Sequence, residues 1–109
     1  MGRARALDLC LTGRVLTAEE ARAIGLVQHV FPKDSFASDV AAYVASLSSL
    51  SPPVLRLAKR AIVEGLDEPV GEALHGTERI YLDELMTLED AREGLAAFLE
   101  KRPPDWKGA

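Results

Sequence analysis

Between residues 36 and 50, Phe36, Val40, Tyr43, Val44, Leu47 and Leu50 recur at three- and four-residue intervals. That repeat is one face of an α-helix, and an apolar face of this length is stable in water only against a second surface. The same repeat returns three more times. Val54, Leu55, Ala58, Ile62 and Leu66 form one set, the run from Val70 through Ala73, Leu74, Thr77, Tyr81 and Leu82 to Leu85 another, and Ala91, Leu95, Phe98 and Leu99 the last. A mainly α chain of about six helices, joined by loops of roughly two to six residues, is the fold class this pattern predicts.

The punctuation between stripes sharpens the reading. RARALDLCLTG, with Leu7, Cys10 and Leu11 at helical spacing, reads as a helix over 2–12 stopped by Gly13, a residue suited to a left-handed C-terminal cap. In TAEEARAIG, Thr17 and Glu20 have the spacing of a reciprocal capping box, which predicts a short helix over 18–24 stopped by Gly25. LVQHVFP, rich in branched and aromatic residues and closed by Pro32, reads as one short extended segment, the only strand candidate. SPP at 51–53 breaks the chain and restarts it, with Ser51 as cap and proline where the first amides need no partner. Gly65 and Pro69 mark the next turn, and a long helix is expected from Val70 to Leu85. Thr87 with Asp90 resembles a second capping box opening the last helix, which Pro103 and Pro104 end.

Composition excludes several function classes. A length of 109 residues, 48% apolar and 28% charged, fits one globular unit or part of one. The net charge of −4 disfavours nucleic acid as a partner, and the short helix at 18–24 lacks the basic companion that a helix-turn-helix reader needs. No apolar run approaches the ~18 residues of a membrane span, and the N-terminus carries charges where a signal peptide would be apolar. A cytoplasmic protein without a membrane partner is expected. Cys10 stands alone among leucines and is expected to be a buried structural thiol. His29 and His75 have no ligand-spaced companions, so no metal site is indicated, and both are expected to be structural or surface residues. RLAKR at 56–60 reads as a solvated helix face.

Three stretches taken together resemble the enoyl-CoA hydratase/isomerase (crotonase) superfamily: LDLCLTGRVLTAEEARAIGLVQHVFP at 7–32, SPPVLRLAKRAI at 51–62, and LEDAREGLAAFLEKRPPDWKG at 88–108. They occur in the family's order and span nearly the whole chain. The resemblance implies that residues 1–109 are one C-terminal helical (trimerisation) region, without the N-terminal ββα catalytic core that holds the family's oxyanion-hole amides and acid/base glutamates. It implies acyl-CoA thioesters as substrates of the full-length parent, with water added to, or a double bond shifted in, an enoyl-CoA. No cofactor is implied beyond the coenzyme A of the substrate itself. No residue of this chain inherits a catalytic role, and the chain alone is expected to be inactive.

The resemblance also carries site residues. AFLEK places Phe98 and Lys101 at the family's adenine and phosphate end of coenzyme A, reached from a neighbouring subunit. Three residues apart, they would share a helix face; the periodicity alone favours Phe98 as core and Lys101 as a solvated cation, and the resemblance brings the ligand reading level with it. Leu82 and Met86 match positions along one wall of the family's acyl pocket, and ordinary packing accounts for them as well. Trp106 is expected to anchor the tail by packing. Homo-oligomerisation, as a dimer or trimer, is expected because the stripes need cover. The reading from another class is a free-standing helical interaction module without catalysis.

Overall fold

The computed structural model describes all residues from Met1 to Ala109. The chain is helical with no strand, and it divides into two compact units, Met1–Tyr43 and Val44–Ala109. No helix is long and apolar enough to cross a membrane.

The first unit contains α1 (Arg3–Thr12), α2 (Ala18–Ala23) and a 3-10 turn (Lys33–Ser35) leading into α3 (Phe36–Ser48), which runs past the unit boundary. Gly13 ends α1 in the left-handed region at φ 62°, its amide donating to the Leu9 carbonyl at 3.0 Å. The capping box of α2 is complete. Glu20 N–H donates to Thr17 Oγ1 at 3.1 Å, and Thr17 N–H donates to the Glu20 carboxylate at 2.8 Å. Beyond α2, Gly25 takes φ 74° and donates to Arg22 O, while Leu26 N–H donates to Ala21 O at 2.8 Å. This pair of bonds is a Schellman cap with glycine at the left-handed position.

Residues 26–32 do not form a strand. A strand needs an edge to pair with, and this chain offers none. The segment instead gathers aromatic rings: His29 lies 4.6 Å from Tyr43 and 5.9 Å from Phe31, centroid to centroid, and Phe31 meets Phe36 edge-on at 6.3 Å. His29 is thus an exposed ring within a surface aromatic cluster. Cys10, expected to be buried, is exposed; its helical spacing with Leu7 and Leu11 marks a face that nothing in this chain covers.

The second unit holds α4 (Pro52–Glu64), α5 (Val70–Arg79) and α6 (Glu89–Glu100). Ser51 caps α4 by accepting from Val54 N–H at 3.4 Å, with proline at both of the first helical positions. The long helix expected over 70–85 is interrupted. It passes after Arg79 into a π-helical turn (Ile80–Glu84) and then a 3-10 turn (Leu85–Thr87). Arg60 of α4 reaches across to pair with Glu84 in that turn and lies 3.7 Å from Glu64.

The Thr87–Asp90 capping box does not form. Thr87 Oγ1 donates back to Glu84 O at 2.7 Å, Leu88 stands at the cap position without a side-chain bond, and Asp90 is buried elsewhere. Its carboxylate accepts from Ser51 Oγ at 2.5 Å, from Lys107 N–H at 2.7 Å and from Gly108 N–H at 3.1 and 3.2 Å. The tail beyond α6 therefore folds back along the helix to its N-terminus. Trp106 joins it there, donating from Nε1 to Ser49 O at 2.9 Å, with its ring over Gly94, where an added Cβ would stand 3.3 Å from the indole.

Pro53, Ile80 and Ala97 are the buried apolar side chains of this unit, so the polar junction at Asp90 does much of the organising. Replacing Asp90 by alanine should lower the melting temperature by several degrees, because Ser51 and two tail amides lose their acceptor together. Asp90→Ala and Ser51→Ala should be strongly non-additive in a double-mutant cycle followed by thermal unfolding; additive losses would show that the two do not share one network.

Candidate functional site

The site suggested by sequence is carried by α6 and the turn after it. EDAREGLAAFLE is rich in good helix formers, and Ala97 is buried against the unit while the residues beyond it turn outward. Phe98 is 81% exposed, so it is not core within this chain. Leu99 and Leu95 are exposed beside it.

Lys101 lies outside the helix. It adopts φ 54°, the one non-glycine residue of the chain at positive φ, and forms the left-handed position of a second Schellman cap. Its amide donates to Phe98 O at 3.4 Å, and Arg102 N–H donates to Ala97 O at 3.0 Å. The expectation of a shared helix face therefore needs correction: the two residues are joined by a backbone bond at the cap, where the chain has already left the helical register.

The backbone beyond Lys101 is held by Glu93. Arg102 places both arms of its guanidinium on that carboxylate, at 2.5 and 3.0 Å, and its Nε on Glu100 at 2.6 Å. Asp105 N–H donates to the same Glu93 at 2.7 Å. The Arg102 fork first, and then the Asp105 amide, hold Glu93 down at about 2 against an ordinary 4.5. Asp90 is likewise held below the usual carboxylate range, by the Ser51 hydroxyl and then the Lys107 and Gly108 amides, although burial opposes the shift. Lys107 pairs with Asp105. Among the basic groups of the tail, Lys101 alone has no ion-pair partner.

Leu82 lies in the π-helical turn and is 62% exposed, while Met86 lies in the 3-10 turn after it and is half-buried. The Arg60–Glu84 pair fixes the turn between them to α4. A cleft of about 270 Å³ between α4 and α5 includes neither residue. Its walls carry Glu64, Glu68 and Glu72 against Arg79, a charge balance that repels a phosphate-bearing ligand. No group of carboxylates, histidines and cysteine is arranged to hold a metal ion.

The family model for enoyl-CoA hydratase/isomerase matches residues 1–109. The chain belongs to that family. It is 38% identical over 106 residues to a probable enoyl-CoA hydratase of Mycobacterium tuberculosis, covering 97% of this chain and 41% of that protein. It is 34% identical over 108 residues to the 2,3-dehydroadipyl-CoA hydratase of Escherichia coli, covering 99% of this chain and 42% of the relative. The crystal structure of an enoyl-CoA hydratase from Geobacillus kaustophilus superposes with a TM-score of 0.90 at 39% identity, over 99% of this chain and 40% of that one. The chain thus spans about two fifths of the length of these relatives, in agreement with the C-terminal helical region read from its motifs.

Glu93 and Arg102 escaped the sequence reading, and Asp90 entered it only as the capping partner of Thr87. The bonds that join Asp90 to Ser51 and Glu93 to Arg102 span 39 and 9 residues, beyond any helical or capping spacing. Because Glu93 is depressed in the folded state, its contribution to stability is complete above its ordinary 4.5 and is lost as pH falls from there toward about 2. Thermal unfolding followed between pH 6 and 2 should show this loss in the native chain and a weaker one in Glu93→Gln; identical profiles would remove Glu93 from the acid response.

Proposed function

We propose that this chain supplies the helical, coenzyme A-facing and subunit-joining part of an enoyl-CoA hydratase/isomerase, a protein that adds water to, or shifts the double bond of, an enoyl-CoA thioester. The family match over the whole chain carries the reading. The naming of the Escherichia coli relative for an unsaturated acyl-CoA supports the substrate class.

Within that reading Phe98 and Lys101 meet the adenine and phosphate end of coenzyme A held mainly by a neighbouring subunit. An outward aromatic ring next to an unpaired ammonium suits a purine that carries phosphate charge. Leu82 and Met86 contribute to one wall of the acyl pocket. The chemistry belongs to the preorganised amide pair and carboxylates of the family's ββα part, which stabilise the thioester enolate and move the proton. No glutamate of this chain is given that role.

The expected outcome for Lys101→Ala in the full-length enzyme is a loss of about 1 kcal/mol in coenzyme A affinity, expressed mainly in KM because the adenine end is remote from the reacting carbons. Added salt should shrink it. Phe98→Ala should raise KM while leaving the melting temperature nearly unchanged, as its exposure implies. A lowered melting point with an unchanged KM would return Phe98 to a packing role.

Subunit joining rests on the apolar faces left open in the second unit, where Ile62 of α4, Leu66 of the turn after it, and Val70 and Leu74 of α5 are all more than half exposed. Covering even ~500 Å² of such surface is worth on the order of 10 kcal/mol before the cost of association. The 109-residue chain should therefore sediment as a dimer or trimer at tens of micromolar, and a sharp monomer mass there would remove the subunit-joining role.

A further inference from the structure

The same backbone cap is built twice in this chain, once with the residue that favours it and once without. After α2, Gly25 occupies the left-handed position at φ 74°; after α6, Lys101 occupies it at φ 54°. The two bonds of the motif are the same in both, from residue 25 to 22 and 26 to 21, and from 101 to 98 and 102 to 97. A side chain at that position crowds the following carbonyl, whereas glycine does not. Backbone geometry alone would thus be better served by glycine at 101.

Something holds Lys101 there. One residue beyond it, Arg102 is forked onto Glu93, and four residues beyond it the Asp105 amide is bonded to the same carboxylate. Lys101 cannot relax to an ordinary helical or extended conformation without moving Arg102 off Glu93. The clamp also disposes of charge. Arg102 is neutralised by Glu93 and Glu100, and Lys107 by Asp105, so the only cation the tail leaves unpaired is the one on the strained residue. The Glu93 clamp and the cap converge on one side chain, and packing gives that side chain no role, since Lys101 is exposed.

We infer that Glu93 and Arg102 are positioning residues, which hold Lys101 in its left-handed cap so that its ammonium is fixed in place, unpaired, for the phosphate end of coenzyme A. The inference rests on the ligand role proposed above for Lys101 and assigns the residues that set its geometry. Glu93 and Arg102 act on Lys101 through the backbone that follows the cap.

The test is steady-state kinetics with an enoyl-CoA and thermal unfolding, both on the full-length enzyme. Glu93→Gln keeps an acceptor for the Asp105 amide but takes the charge from under Arg102. It should raise KM about threefold with kcat unchanged, the size expected for an exposed charge contact that has lost its fixed position. Introduced on top of Lys101→Ala, it should raise KM no further, because the group it positions is gone. Arg102→Lys, which keeps the charge and loses the fork, should repeat both results. Lys101→Gly should raise the melting temperature while raising KM, since it relieves the backbone and removes the ammonium. An equal rise in KM on both backgrounds, or a lowered melting temperature with KM unmoved, would overturn the positioning role, as would a Lys101→Gly variant that melts lower than the native protein. The ligand reading beneath it fails separately: Lys101→Ala alone would then leave KM where it was.

Discussion

The second unit depends on one buried carboxylate. Asp90 is almost wholly removed from solvent, and an ionised group in that position is tolerated only when its lone pairs are filled. They are filled from three directions: the Ser51 hydroxyl at the head of α4, and the backbone amides of Lys107 and Gly108 in the returning tail. Ser51 donates its proton to Asp90 and uses its own oxygen to receive Val54 N–H, so the cap of α4 and the anchor of α6 are the same hydroxyl. Asp90 N–H donates to Ala109 O at 3.0 Å. One orphan amide of α6 is thereby satisfied by the tail's backbone instead of by a side-chain cap. Removing the carboxylate would free the tail's two amides and leave the hydroxyl that caps α4 without its acceptor.

Features that close within a few residues were legible in the sequence. Thr17 and Glu20, Ser51 with its two prolines, and Gly13 each satisfy backbone groups of their own turn, and each stands where its spacing placed it. Thr87 and Asp90 have the same spacing, and the box fails. A hydroxyl 39 residues away outcompetes the local amide for Asp90, while Thr87 turns back to close the 3-10 turn. Local pattern names the donors and acceptors a residue could use; it does not rank them against partners brought in by the fold.

Periodicity misled in a related way. It identifies an apolar face without saying what covers it, which is why Cys10 reads as buried and is exposed. The sequence left Phe98 divided between core and contact, and the 81% exposure of its ring takes it out of this chain's core. The interruption of the 70–85 helix had no sequence signal, since neither proline nor glycine falls between Thr77 and Thr87. The π-helical turn there coincides with the Arg60–Glu84 pair, a long-range ion pair that no window of local sequence contains. The family motifs identified the family, on which the periodicity alone was silent, because they encode the whole protein's surroundings and not just those of one helix.

The two kinds of surface in the second unit divide the labour in a way their physics explains. Apolar burial is non-directional, so the open faces of α4 and α5 can meet another surface with little demand on angle. Hydrogen bonds and forked ion pairs fix orientation, and they are concentrated along α6 and its tail, through Asp90, Glu93 and Trp106. A contact with a charged, rotatable ligand group needs the second kind of support, since an ammonium on a loose tail would lose in ordering entropy much of what it gained in attraction. The helix end bearing Phe98 and Lys101 is the end whose following backbone is most heavily tied, while the apolar faces have, in the proposed role, the more tolerant task of association. Rigidity in this chain is therefore placed where direction matters, and the uncovered apolar surface is placed where only contact does.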